Sequence, residues 1–218
     1  MERFSVRDSL LYGWRTFQDA LPFFVGIAAL ILGISFILGF VSDELTRAGA
    51  DGWSFAVDAL SLLVAFAVEA GFIALLLSVY DRKQYRYKNF SVSVPTILRY
   101  IAASVLYALI VLLGLVLLVV PGLVWAVTYG FYGYAVVDKG LSAAEALSYS
   151  RAITKGKRWR IFALSAFVIA ANMAGMMFFG IGLLITIPIT ALAWTRAYRA
   201  LSAAYEHARG ENEPAGDN

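Results

Sequence analysis

Two carboxylates stand where a chain tolerates them least. Asp58 and Glu69 interrupt "FAVDALSLLVAFAVEAGFIALLLSVY" (residues 55–80), a run that is otherwise almost wholly apolar. An ionised carboxylate in hydrocarbon costs on the order of several kcal/mol, so such a group is protonated, paired or turned toward a cavity. Eleven residues at about 100° each leave an offset of roughly 20°, so a helix puts both acids on one face. Counted from an outer end near Phe55, Asp58 lies about 5 Å deep and Glu69 about 21 Å deep. The first can reach the outer interface. The second cannot, and is either a structural Glu, protonated or paired, or a group that handles an ion, a proton or a substrate. Arg196, about 20 Å deep if its helix starts near Leu183, is the expected partner. Asn172, Tyr129 and Thr128 are the other buried polar candidates, read as contacts between helices rather than as ligands.

Little else could do chemistry. There is no cysteine, and the single histidine, His207, lies in a polar tail. No serine–histidine, metal-ligand or phosphate-loop pattern occurs. No catalytic, metal-binding or cofactor-binding residue is expected, and no cofactor. The basic residues are scattered between apolar segments without a nucleic-acid-binding motif, so nucleic acid is not an expected partner.

The elements that must position these groups are set by composition. Of the 218 residues, 61% are hydrophobic and 15% charged, against roughly 45–50% and 25% in a soluble domain. A bilayer core about 30 Å thick needs roughly 20 apolar residues per helix. Six segments meet or approach this, near 21–41, 55–80, 97–120 (ending at Pro121-Gly122), 122–137, 161–180 and 183–205. "GIG" at 180–182 is the natural turn within the last long run, and Pro188 a kink site. The first run is long enough to span and is read as uncleaved. Of the 18 Lys and Arg residues, all but Arg47 fall in the termini and alternate loops. Cytoplasmic loops carry the basic excess, so both ends are placed inside. The expected fold is all-α: a polytopic helix bundle of three transmembrane hairpins over residues 1–206, in a bacterial inner (plasma) membrane, followed by a disordered polar tail at 207–218. On the fifth span Ala163, Ala166, Ala170 and Ala174 are expected to allow close packing.

Two islands break the apolar pattern. "SAAE" (142–145) is a capping-box signal, opening a helix over 142–155. Behind it Lys155, Lys157, Arg158, Trp159 and Arg160 form a basic and aromatic anchor, with anionic phospholipid headgroups as the expected partners. The N-terminal "SVRDSLLYGWRTFQDALPFF" (5–24) aligns without gaps on "SAAEALSYSRAITKGKRWRI" (142–161). Within it Val6, Leu10, Trp14 and Phe17 share one helical face over 5–18. Both segments read as amphipathic helices on the cytoplasmic surface. "NFSVSVPTILRY" is a weaker third copy, and the repeat unit would be a surface helix followed by a hairpin.

Pro121, Gly122, Asp138, Gly140, Glu145, Ala146, Leu147, Ser150, Thr154, Lys155, Gly156 and Trp159 carry a resemblance. The stretch they span resembles the membrane domain associated with some glycerophosphoryl diester phosphodiesterases, and related small bacterial membrane proteins. The resemblance implies six helices in the inner membrane and no catalytic residues, since the phosphodiesterase barrel has no counterpart here. The leading expectation is a non-enzymatic scaffold, regulator or envelope-homeostasis factor. The alternatives are a small transporter, channel or lipid-handling protein with a polar site around Glu69, and the membrane half of a split enzyme. Whether the protein pairs with itself or with another membrane protein is left open.

Overall fold

The computed structural model describes residues 4–82, 90–177 and 182–212, and these are helical with no strand. In chain order they form α1 (Val6–Asp19), α2 (Leu21–Arg47), α3 (Asp51–Arg82), α4 (Val94–Leu117), α5 (Val119–Tyr129), α6 (Tyr132–Lys139), α7 (Ala143–Thr154), α8 (Arg158–Met177) and α9 (Leu183–Asn212). Among the described residues five stretches are long and apolar enough to cross a membrane: Leu21–Arg47, Asp51–Asp81, Val94–Leu117, Val119–Lys139 and Arg158–Met177. The last helix, α9, is long enough, but Arg196, Arg199 and Glu206 dilute its apolar character.

Burial divides the molecule into two ends. Leu75, Leu76 and Val79 of α3, Tyr100 of α4, Phe131, Ile161 and Leu164 of α8, and Leu192, Tyr198 and Leu201 of α9 are fully buried. Toward the other end the same helices expose their largest apolar side chains: Phe36 and Phe40 on α2, Phe55 and Leu62 on α3, Val116 on α4, Met173 and Met177 on α8. Such a contiguous apolar belt is untenable in water and is what lipid solvates. The protein is an integral membrane protein with a packed core at one end of its helices.

α9 is the hub, touching α1, α2, α3, α7 and α8. Across it lies α1, capped by Ser5, whose Oγ accepts from the Asp8 N–H at 3.4 Å. The buried residues of α1 are Ser9, Gly13, Thr16 and Phe17; of the Val6/Leu10/Trp14/Phe17 stripe, Phe17 is in the core and Val6 and Leu10 pack against it, while Trp14 is 47% exposed. Small side chains win because the backbones meet: a β-carbon on Gly13 would sit 2.3 Å from the Ile189 carbonyl oxygen. Backbones approach this closely only where side chains are minimal.

Between α4 and α5 the turn is at Leu118, in extended conformation, three residues before the expected Pro121-Gly122. Pro121 falls in the first turn of α5, where its missing N–H costs nothing, and Gly122 lets that helix close onto Gly114. The expected fourth span is two helices, α5 and α6, interrupted at Gly130-Phe131. Val94 already belongs to α4, so "SVPTILRY" opens that helix and is not a third surface helix. The alanine stripe of α8 faces outward, while Ile161, Leu164 and Gly175 are buried. Helical structure continues to Asn212, so the polar tail begins later than 207. The expected "GIG" turn lies outside the described residues except for Gly182.

The α5–α6 break explains α7. Breaking a helix frees backbone groups that lipid cannot satisfy. The Ser150 Oγ donates to the Thr128 carbonyl at 3.0 Å and accepts from the Phe131 N–H at 3.1 Å; Thr154 Oγ1 also donates to Thr128, at 3.1 Å. The capping box is present, with Ser142 Oγ donating to Glu145 Oε2 at 2.6 Å and Ser142 N–H at 2.9 Å. The hydroxyl bond first, and the N–H bond with it, hold the Glu145 carboxyl below its ordinary value. The residues that seat α7 are Ala146, Leu147, Ser150, Ile153 and Thr154, all buried.

Candidate functional site

Asp58 and Glu69 do share a face of α3, and that face borders a cavity of about 520 Å³ between α2, α3 and the start of α9. Its walls are apolar, from Phe24, Ile31 and Leu38 of α2, Val68 and Phe72 of α3, and Leu184 and Ile187 of α9, with Ser35 and Ser61 the hydroxyls among them. Both acids are exposed to this space. Asp58 accepts a hydrogen bond from Ser42 Oγ at 2.6 Å. Glu69 lies near Tyr100, a residue only 1% exposed. The Tyr100 ring lies 6.0 Å from that of Tyr132, whose hydroxyl donates to Ser104 at 3.0 Å and whose ring stacks on Tyr107 at 4.8 Å. Glu69 therefore has a cluster of tyrosines on its inner side and the cavity on its outer side.

Arg196 is not its partner. The cavity that holds Glu69 is lined by Leu183, Leu184, Ile187 and Pro188 of α9, which puts Arg196 more than two turns farther along, about 12 Å beyond Pro188 at 1.5 Å per residue. Its guanidinium lies 5.7 Å from the Tyr12 ring, which itself meets Tyr80 edge-on at 5.2 Å. Equal depth required α3 and α9 to start at one level. Instead α3 begins at Asp51 and α9 starts alongside the Asp58–Glu69 stretch. Among the described ion pairs neither Asp58 nor Glu69 has a cationic partner.

Other expected polar residues scatter. Asn172 donates to Thr190 Oγ1 at 3.5 Å, joining α8 to α9, while its own Oδ1 is buried without a partner. Tyr129 faces Arg151 and Arg158 around a separate hollow. Lys155, Arg158 and Arg160 are exposed, Lys157 partly so, and Trp159 is 83% exposed. Arg160 also reaches back to the Phe4 carbonyl at 3.2 Å. At the packed end, Arg199 bridges Asp81 and Asp138, Tyr198 donates to Asp138 at 2.8 Å, and Lys139 pairs with Glu206. That pairing, with Lys139 donating to the carboxylate, lowers the Glu206 carboxyl from its ordinary value. Sequence reasoning missed Tyr100, Tyr132 and Ser42: a hydroxyl inside an apolar run reads as ordinary helix until its neighbours are known.

These features define a class, the multi-span helical membrane protein with an acidic cleft in its apolar half. The chain belongs to the family of the domain of unknown function DUF7847, which matches residues 9–208. No curated protein and no solved structure matches it.

Proposed function

We propose that this protein is a six-span, non-enzymatic membrane protein with both termini in the cytoplasm, built from the hairpins α2–α3, α4–α5/α6 and α8–α9, that binds a hydrophobic cation in the α2–α3–α9 cleft and handles its movement within or across the bacterial inner membrane. One observation carries the reading: Asp58 and Glu69 line the same apolar cavity, with no described cationic partner. A carboxylate at such a site demands compensation by a cation or a proton. The two acids are separated by about 16 Å along α3, and the surface between them is apolar. A ligand with a charged end and a hydrophobic body matches that spacing. Ser42 donates to one oxygen of Asp58, and both carboxylates line the cavity.

The chain has no cysteine, so Ser61→Cys, on the cavity wall between the acids, gives one reactive thiol. A cationic methanethiosulfonate should modify it faster than an anionic one of equal size. The preference should vanish in the Asp58→Asn/Glu69→Gln background. Equal rates for both reagents with the acids intact would overturn the reading.

A scaffold or regulatory role is the second reading, favoured by the docking of α1 across α9 and of α7 on the α5–α6 break. In that reading neutralising Asp58 and Glu69 leaves function unaffected, whereas undocking α1 abolishes it.

A further inference from the structure

We infer a second site, on the opposite side of the bundle and independent of the acidic cleft: a seat for one two-chain anionic phospholipid, with its phosphate held by Arg151 and Arg158. Arg158 borders two hollows at once, one with a mixed lining and one apolar. One, of about 460 Å³, runs along α4 and α5, with Leu113, Val124 and Trp125 on its apolar side and Thr128, Tyr129 and Arg151 on its polar side. The other, of about 420 Å³, runs between α5 and α8 past Leu123, Val124 and Phe162. Val124 is the wall common to both, and the two arginines stand beside it. A pair of grooves meeting at a cationic head has the shape and charge order of a diacyl phospholipid: one chain to each groove, phosphate between the guanidiniums.

Charge complementarity is unusually one-sided here. From Ala146 to Tyr205 the chain contains no Asp or Glu. Arg151 and Arg158 take part in no ion pair among the described residues. Both are exposed. The guanidinium fork suits bidentate phosphate contact, and Trp159, almost fully exposed beside Arg158, is the residue expected where headgroups meet acyl chains. The seat is narrower than a general basic anchor: Lys155 and Lys157, on the same island, line neither groove.

The test uses the full chain purified in detergent and returned to nanodiscs of phosphatidylcholine carrying a small fraction of phosphatidylglycerol, with retained lipid read by native mass spectrometry. Wild type should hold one phosphatidylglycerol. Arg151→Gln/Arg158→Gln should lower its retention at least tenfold, consistent with about 1 kcal/mol for each basic residue near an anionic surface. Lys155→Gln/Lys157→Gln should change it less than twofold. Lysophosphatidylglycerol, which fills one groove only, should bind at least fivefold more weakly, and inorganic phosphate should not compete. If the arginine variant does not fold, Val124→Trp decides the matter, since it blocks both grooves and leaves the charges in place: it should abolish retention. Equal retention by Val124→Trp and wild type, indifference to headgroup charge, or phosphate competing as well as lipid would each overturn the site.

Discussion

Ser150 offers the sharpest energetic test of how α7 is held. It is fully buried, and its Oγ serves two backbone groups freed by the α5–α6 break. Ser150→Ala removes the acceptor for the Phe131 N–H and leaves a buried donor without a partner. The Thr128 carbonyl keeps Thr154 as its donor. One orphaned buried group costs roughly 1–3 kcal/mol, so Ser150→Ala is expected to destabilise by about 2 kcal/mol. Thr154→Val is nearly isosteric and leaves Thr128 bonded to Ser150, so its cost is about 1 kcal/mol or less. The double variant orphans the Thr128 carbonyl as well, which neither single change does. Its cost should exceed the sum of the singles by about 1 kcal/mol, in the sense of a double-mutant cycle. Reversible unfolding of the four proteins in mixed detergent and SDS, followed by circular dichroism, measures this. A Ser150→Ala cost below about 0.5 kcal/mol, or a double variant that is simply additive, would refute the claim that α7 satisfies the broken helix.

Three further outcomes are expected. Gly13→Val places a β-carbon against the Ile189 carbonyl, where only 2.3 Å is available; it should undock α1 and speed tryptic cleavage at Arg7 and Arg15, while Gly33→Ala, with nothing within 4 Å of the new atom, should not. The Glu206 carboxyl is lowered from 4.5 in the folded state by its bond to Lys139, so its contribution is present above the unfolded value and is lost as pH falls through the folded one; the melting temperature should therefore drop more steeply below about pH 4.5 in wild type than in Glu206→Gln, and parallel curves would contradict this. Single cysteines at Ala48, Lys157 and Glu211 in this cysteine-free chain should react with an impermeant thiol reagent from outside only at position 48; outside labelling at 157 or 211 would sink the six-span topology.

How much of the fold and site is legible in the sequence depends on whether each feature is set locally or between helices. Helical spans, surface helices and the Ser142–Glu145 cap are local: apolar run length and hydrogen-bonding reach over three residues decide them, and the helices lie near where the pattern put them. The common face of Asp58 and Glu69 is local too, since it follows from helical pitch alone. Register between helices is not local. The Glu69–Arg196 pairing failed because it assumed that α3 and α9 begin at one depth, and no single-helix pattern sets that offset. On α1 the apolar pattern marks Val6, Leu10 and Phe17, which pack, and also Trp14, which does not; the close approach to α9 is decided by the absence of side chain at Gly13, which apolar moment does not weigh. The α8 alanines misled for the mirror reason: small residues permit close packing but do not require it. The α5–α6 break was invisible because the groups that compensate it, Ser150 and Thr154, are some twenty residues away.

The central claim, that the acidic cleft between α2, α3 and α9 receives a hydrophobic cation, is tested most directly by equilibrium binding to the reconstituted full-length protein. Dodecyltrimethylammonium, a single charge on an apolar body, is titrated into nanodiscs containing wild type, Asp58→Asn/Glu69→Gln, or no protein, with a zwitterionic amphiphile of the same chain length as control. Wild type should show saturable binding above bilayer partitioning, near one cation per chain, with no matching signal for the zwitterion. The double variant should bind at least tenfold more weakly. Partitioning that is the same for wild type, the double variant and empty nanodiscs would contradict the claim and leave Asp58 and Glu69 as structural acids.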